Sequence, residues 1–384
     1  MRWRLLGARR FLPLFATQFL GAFNDNLFRS AMLFLIAFRL KAGDPAGAAL
    51  AASISGGVFI LPYFLFSSLS GQFADRIDKA RIARIVKLAE LAILGAGAAG
   101  LLLCALPLLY VVLFAMGVHS TVFGPVKYGI LPQHLRADEL VAGTGMVEAA
   151  TFLAILFGQI AGGLMATPVA AGAMLAAALA GIAASLFIPP APPDDASSAI
   201  DANIARGTLA ILRHAIRNAT LLHVIIGISW FFALGAVLTQ QFAALVAGLN
   251  ARAGVASALL ALFSVGIAIG ALAAARLMRG RITGRPVAPA ALSVALLTGW
   301  LALAIGAMRP APGAAVGLAG FLALPGAGWL CGGLVLLAIV AGIYVVPLYA
   351  LLQTAGEASS RARDVAANNV VNALAMVALT ILSI

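Results

Sequence analysis

Asn24-Asp25-Asn26, followed by Arg29, stand in the middle of an apolar segment that runs from about Phe11 to Phe38. An ionisable side chain near a bilayer midplane costs roughly 2.5–3.5 kcal/mol on insertion scales, so such groups are rare and usually face a cavity. Two readings are open. Asp25 and Arg29 are four residues apart and can neutralise each other on one helix face, with Gln18 seven residues earlier on that same face. Alternatively, the acid and its amide neighbours line the path of a polar substrate.

Other polar groups lie deep in apolar surroundings. Lys127, in Gly124-Pro125-Val126-Lys127-Tyr128-Gly129, and Glu148 fall at matching depth in consecutive segments. At the helical rise both sit roughly 5–12 Å inside one membrane boundary. They are expected to pair across neighbouring helices, either as a static pair or as a gate that breaks and re-forms. Gln240 and Gln241 lie in a later segment, and Asn368, Asn369 and Asn372 enter the last one, with Asn368 and Asn372 on one face. Amide bonding between helices is the plain alternative to substrate contact at these positions. Gly158-x-x-x-Gly162 permits close helix packing.

The elements that must position these groups are membrane helices. Of 384 residues, 63% are hydrophobic and 10% charged. Apolar stretches near 20 residues recur from end to end, and runs such as Leu88–Leu109 and Ala170–Ile188 lack the alternation of barrel strands. Only helices and closed barrels satisfy the backbone in lipid, so the chain reads as an all-α, polytopic membrane protein. About 11 spans are expected, near 11–38, 48–70, 83–104, 106–130, 141–166, 168–188, 219–247, 253–275, 287–308, 328–351 and 363–384. The formal net charge of +12 would suggest nucleic acid in a soluble protein. Here the basic residues sit at segment ends, where topology and lipid headgroups account for them, and no nucleic acid partner is expected.

Basic residues alternate between the connections. Arg2, Arg4, Arg9 and Arg10 precede the first span, and Arg76, Lys79, Arg81, Arg84 and Lys87 follow the second. Arg136, Arg206, Arg213, Arg217, Arg276, Arg279, Arg281, Arg285, Arg361 and Arg363 fall on the same side, against Arg39, Lys41, Arg252 and Arg309 opposite. The positive-inside rule places the N-terminus in the cytoplasm. The first segment is too long and too polar at its centre for a cleavable signal peptide.

A Pro-rich, acidic run at 189–195 opens a linker that divides six spans from five. The expected organisation is a six-helix half over 1–188, a linker over 189–218 and a second half over 219–384 with about five helices. Six plus five implies that the last helix of the second half is missing. Cys104 and Cys331 make neither a disulfide framework nor a metal site and read as small core residues, and no cofactor is expected. An acyltransferase needs His and Asp at H-x-x-x-x-D spacing. His134 and Asp138 fall one residue short, and His119-Ser120 and His223 have no evident partners, so the chain is not read as an enzyme.

After the second span the chain reads Gly71-Gln-Phe-Ala-Asp75-Arg76-Ile-Asp78-Lys79-Ala-Arg81. Gly71 allows close helix approach, Asp75 can accept from or cap the next basic helix end, and Arg76, Lys79 and Arg81 can grip headgroups. The string resembles the loop signature G-x-x-A-D-R-x-G-R-K of the major facilitator superfamily, with Asp78 where glycine is usual. Arg276-Leu-Met-Arg279-Gly280-Arg281 is a degraded copy after the eighth span. The resemblance implies two pseudo-symmetric six-helix halves that rock about a central site, with the loop as a conformational switch.

Four strings carry a narrower resemblance: Phe23-Asn24-Asp25-Asn26, Gly124 to Pro132, Glu148 to Leu156, and Tyr344 to Gln353. Together they are similar to the bacterial lysophospholipid transporter family. That resemblance implies lysophospholipid uptake, for example of lysophosphatidylethanolamine, from the outer to the inner leaflet of the bacterial inner membrane for re-acylation. It matches Asp25, Lys127 and Glu148 to charged motif positions, and it implies a monomer among membrane lipids. Stand-alone members carry an arginine in the seventh span, where this chain has Gln240 or Gln241, which leaves Arg29 as the substitute partner for Asp25. The strings around Asn24, Gln240 and Ser360-Arg-Ala-Arg363 look more like a subgroup fused to acyltransferase and acyl-carrier-protein synthetase domains. A proton-coupled drug or metabolite exporter of the same superfamily would also use a midplane acid and is the alternative.

Overall fold

The computed structural model describes residues 3–197, 199–311 and 313–382. Six long helices come first: α1 (Leu12–Leu35), α2 (Pro45–Arg76), α3 (Lys79–Leu102), α4 (Leu106–His134), α5 (Ala137–Leu164) and α6 (Thr167–Leu186). A surface helix, α7 (Ile204–Arg217), precedes α8 (Ala219–Gly248), α9 (Ala253–Leu277), α10 (Val287–Ala307), the single turn α11 (Leu318–Leu322), α12 (Ala327–Leu352) and α13 (Arg361–Leu382). Among the described residues, 10 helices are long and apolar enough to cross a membrane. The 24-residue α1 is not among them, because its polar insertion dilutes an otherwise spanning length. With α1 the bundle has the expected eleven long helices.

Local signals set the helix starts. Asp44 accepts from the Gly47 N–H (2.9 Å) at the head of α2, whose first residue is Pro45. Asn203 and Asn218 cap α7 and α8. Asp78 accepts from the Arg81 N–H at 2.9 Å and so caps α3. Its other oxygen accepts from the linker's Ala191 N–H, also at 2.9 Å. The unusual residue in the loop signature therefore starts a helix and pins the linker. In α7, Gly207, Ile211 and Ala215 form the buried stripe that holds this amphipathic helix to the bundle.

Helices α1–α6 pack among themselves, through α1 with α5 and α6, α3 with α4 and α6, and α2 with α4. Helices α8–α13 do likewise, through α12 with α8, α9 and α10, and α13 with α8. The groups meet where α2 and α4 touch α13 and where α5 touches α9 and α12. Counting the long helices, the second meets the eleventh and the fifth meets the eighth. A shift of six exchanges these two contacts, as a twofold relation between the groups requires.

Within the first group, Gly158 and Gly162 let α5 lie against the α1 backbone. An added Cβ would come within 2.4 Å of the Phe23 carbonyl at Gly158 and of the Leu27 carbonyl at Gly162. Gly158→Val is expected to destabilise by ~1–3 kcal/mol through overpacking. A lowered apparent Tm in detergent checks this, and an unchanged Tm would refute the close approach. Cys104 and Cys331 are half-buried and pack against the apolar cores, as expected of small apolar residues, and Cys104, just past α3, has a positive φ of 54°.

Candidate substrate site between the helix groups

The contacts joining the two groups cluster at the end that carries the linker. Gly71 of α2 lies against Ala362, Arg363 and Ala366 of α13. Gly145 of α5 faces Ala271 and Ala275 of α9, and Gly280, at φ +79°, lies against the Asp138 carbonyl. Gln353 donates to the Thr144 hydroxyl at 3.1 Å. Helices α1 and α8, which begin the two groups, make no extended packing with each other. Farther from the linker end, Phe152 of α5 meets Phe231 of α8 edge-on, with ring centroids 6.0 Å apart.

Asp25 sits midway along α1, half-buried, and faces α4. Its Oδ2 accepts from the Ser120 hydroxyl at 2.6 Å, while Oδ1 is buried with no partner. The same-helix pair with Arg29 does not form. Arg29 extends instead toward α2, with Nη2 3.8 Å from the Cβ position of Gly56. Gln18 also leaves the cluster. It donates to the Val147 carbonyl at 3.5 Å and accepts from Thr151 at 3.0 Å, which bonds α1 to α5. Asn26 donates to the Ala22 carbonyl of its own helix at 2.8 Å.

Asn24 turns the opposite way, into the first group. Its Nδ2 donates to Glu90 Oε1 at 3.2 Å. Glu90 Oε2 receives the Lys87 ammonium, and His119 Nε2 lies 3.6 Å from that same oxygen. The Lys87 and Glu90 side chains are fully buried. Gly21 makes room for the ammonium, since a Cβ there would lie 2.6 Å from Lys87 Nζ. Ser120 thus does have a partner in Asp25, His119 approaches Glu90 without a hydrogen bond, and Lys87 is part of the interior rather than a topogenic loop residue. Sequence reasoning missed Glu90 altogether. The available signal was Lys87 and Glu90 at i,i+3 inside an apolar helix.

Two turns along α4 from Ser120, roughly 10 Å toward the linker end, stands Lys127 on the same face. Lys127 and Glu148 do not form a direct pair, since Tyr128 comes between them. The Tyr128 hydroxyl donates to Glu148 Oε1 at 2.5 Å, and Lys127 Nζ lies 4.5 Å from the Tyr128 ring centroid. Tyr128 also stacks on Tyr349 of α12, with centroids 4.5 Å apart and planes at 12°. That stack crosses between the groups. Tyr349 belongs to a string singled out in the sequence, yet only its position opposite Tyr128 reveals the role. Asn369 of α13 reaches α4, its Nδ2 3.1 Å from the Cβ position of Gly124.

The remaining amides divide. Asn368 is fully buried with neither side-chain polar atom bonded, and Asn369 Nδ2 is likewise buried and unpaired. Asn372 accepts from the Ser229 hydroxyl at 2.6 Å, joining α13 to α8. Gln240 and Gln241 are exposed on α8, and Gln240 donates to Thr380 at 3.4 Å. They do not converge on Asp25. What does converge is a carboxylate with a free acceptor atom, a lysine two turns away and unpaired amides, all in apolar walls. Such groups can bind a headgroup carrying both charges.

Residues 14–380 match the family model of the Major Facilitator Superfamily. The chain belongs to the major facilitator superfamily. This facilitator is 32% identical over 363 residues to the lysophospholipid transporter LplT of Salmonella paratyphi B, a match covering 91% of this chain and 80% of that one. The same transporter of Salmonella heidelberg is 31% identical over the same share. Among solved structures, the human organic anion transporter MFSD10 superposes with a TM-score of 0.78 at 16% identity, covering 98% of this chain and 93% of that one. The proton:xylose symporter XylE gives 0.68 at 13% identity, over 97% and 87%. These two likenesses establish the fold.

The signature loop of this facilitator works as a clasp. Asp75, fully buried, accepts from the Ala362 N–H and from Arg363 Nε, both at 2.9 Å, and so ties α2 to α13. It does not cap its neighbouring helix. Lys79 is likewise buried instead of gripping headgroups. Its ammonium lies 2.9 Å from Asp194 Oδ2 of the linker. Arg76 and Arg81 are exposed, as a headgroup contact requires. The clasp brings Gly71, Asp75 and the linker together at the closed end.

Proposed function

We propose that this facilitator transports lysophospholipids such as lysophosphatidylethanolamine, from the outer to the inner leaflet of a bacterial inner membrane, where they are re-acylated. One observation carries the reading: the Asp25 carboxylate bonds Ser120 on the face of α4 that carries the Lys127 ammonium two helical turns further on. A zwitterionic headgroup offers the complementary ammonium and phosphate, and a single acyl tail suits apolar walls that open sideways to lipid. Asp25 takes the ammonium. Lys127, with the unpaired Asn369 amide, takes the phosphate. The name carried by the relatives at 31–32% identity supports this substrate class.

Close contacts join the two groups at the linker end, which the positive-inside rule assigns to the cytoplasm. Release of the Asp75 clasp and of the Tyr128–Tyr349 stack would let the groups rock and open the inner face. Re-acylation falls to acyltransferase and acyl-carrier-protein synthetase domains, fused or separate. Proteoliposomes given fluorescent lysophosphatidylethanolamine in the outer leaflet test the substrate. Saturable transfer to the inner leaflet, without an imposed pH gradient, is expected. Transfer of a cationic drug that needs the gradient, with no lysolipid movement, would favour the exporter reading instead.

A further inference from the structure

At the linker end, away from Asp25 and Lys127, the N-terminal segment, α3, the end of α6 and the start of the linker border an open cavity of about 500 Å³. Three arginines line it: Arg9, Arg10 and Arg84. Their states differ. Arg10 is neutralised by Glu139, through Nη1 and Nη2 at 2.7 and 2.8 Å. Arg84 is held in place by donating Nη2 to the Ile188 carbonyl at 2.9 Å, yet its Nε is buried with no acceptor. Arg9 is exposed and enters no described ion pair. The cavity thus presents two uncompensated positive charges, one of them on a side chain fixed by the protein.

The rim supplies the other half of the chemistry. Leu186 and Phe187, at the end of α6, are 60% and 63% exposed and border the same cavity. They stand where a membrane helix meets its headgroup layer. A ligand that fits must carry an anionic group for Arg9 and Arg84 and an apolar body to lie along this rim. A buried N–H without a partner is unfavourable, so an acceptor at Arg84 is favoured. Basic pockets between helices at this level take lipid headgroups.

We propose that this cavity binds the phosphodiester of an anionic membrane phospholipid, as a site separate from the one proposed at Asp25 and Lys127. The inference does not depend on the transported substrate. The phosphate chemistry is shared with free phosphate, and the rim decides for the lipid.

Native mass spectrometry of the purified protein with phosphatidylglycerol, phosphatidylcholine or inorganic phosphate tests it. Phosphatidylglycerol should be retained at least tenfold better than phosphatidylcholine, and millimolar phosphate should not displace it. Arg9→Gln, which disturbs no protein contact, and Arg84→Gln should each reduce retention severalfold. Arg213→Gln, on the exposed face of α7, should leave it unchanged. Equal loss in Arg213→Gln, equal retention of phosphatidylcholine, displacement by phosphate, or full retention in Arg9→Gln would each overturn the proposal.

Discussion

Glu90→Ala is expected to lower the stability of the first helix group by ~3–5 kcal/mol, the range for breaking one side of a buried ion pair. The carboxylate it removes holds the fully buried Lys87 ammonium and accepts from Asn24 at 3.2 Å. Without it, a charge stays in an apolar interior with no counter-ion and Asn24 loses its acceptor. A drop of roughly 10 °C in apparent Tm in detergent follows from that range. The pair itself need not be net stabilising, because desolvation offsets much of the attraction. Lys87→Met with Glu90→Leu should therefore recover most of the loss. An Ala variant as stable as the wild type would show that the interior tolerates a lone ammonium, contrary to this account.

Asp75→Asn is expected to loosen the closed end. Arg363 would lose its charge-assisted bond, worth ~1.5–3 kcal/mol, while the Ala362 N–H could still be accepted by the amide oxygen. A loss near 2 kcal/mol shifts the balance between closed and open forms about 30-fold. The readout is alkylation of Ala275→Cys, at the α5–α9 contact, by a membrane-impermeant maleimide from the linker side. The background would carry Cys104→Ser and Cys331→Ser. Faster labelling in Asp75→Asn is predicted. Equal rates would mean that the clasp does not hold this end.

The spans and their alternating basic ends were legible because length and hydropathy fix them without tertiary knowledge. Each of the eleven expected segments corresponds to a helix, and the main shift is that helices continue past the membrane boundary. Helix α3 starts at Lys79 rather than near residue 83, which carries Lys87 two turns inside. That shift is why a residue in a basic run became a buried ion-pair partner.

Depth along a helix was legible at the site, while azimuth and rotamer were not. Lys127 and Glu148 do lie at matching depth, but Tyr128 takes the carboxylate. Asp25 and Arg29 do share a helix, but they point into different grooves. The partners His119, Ser120 and Tyr349 come from other helices, and spacing within one helix cannot reveal them. The pairing of Asp75 with Arg363 spans 288 residues of sequence and depends on how the two groups meet.

In the proposed transport cycle, Asp25 receives the headgroup of a lysophospholipid. Labelled lysophosphatidylethanolamine is supplied to spheroplasts expressing wild type, Asp25→Asn or Glu148→Gln, matched for protein in the membrane, and conversion to diacyl lipid is followed. Removing the charge on the acceptor of an ammonium costs ~1.5–3 kcal/mol, so conversion in Asp25→Asn should fall roughly 10–100-fold. Glu148→Gln, which weakens the bond to Tyr128 beside Lys127, should fall less. Conversion at the wild-type rate in Asp25→Asn would contradict the account.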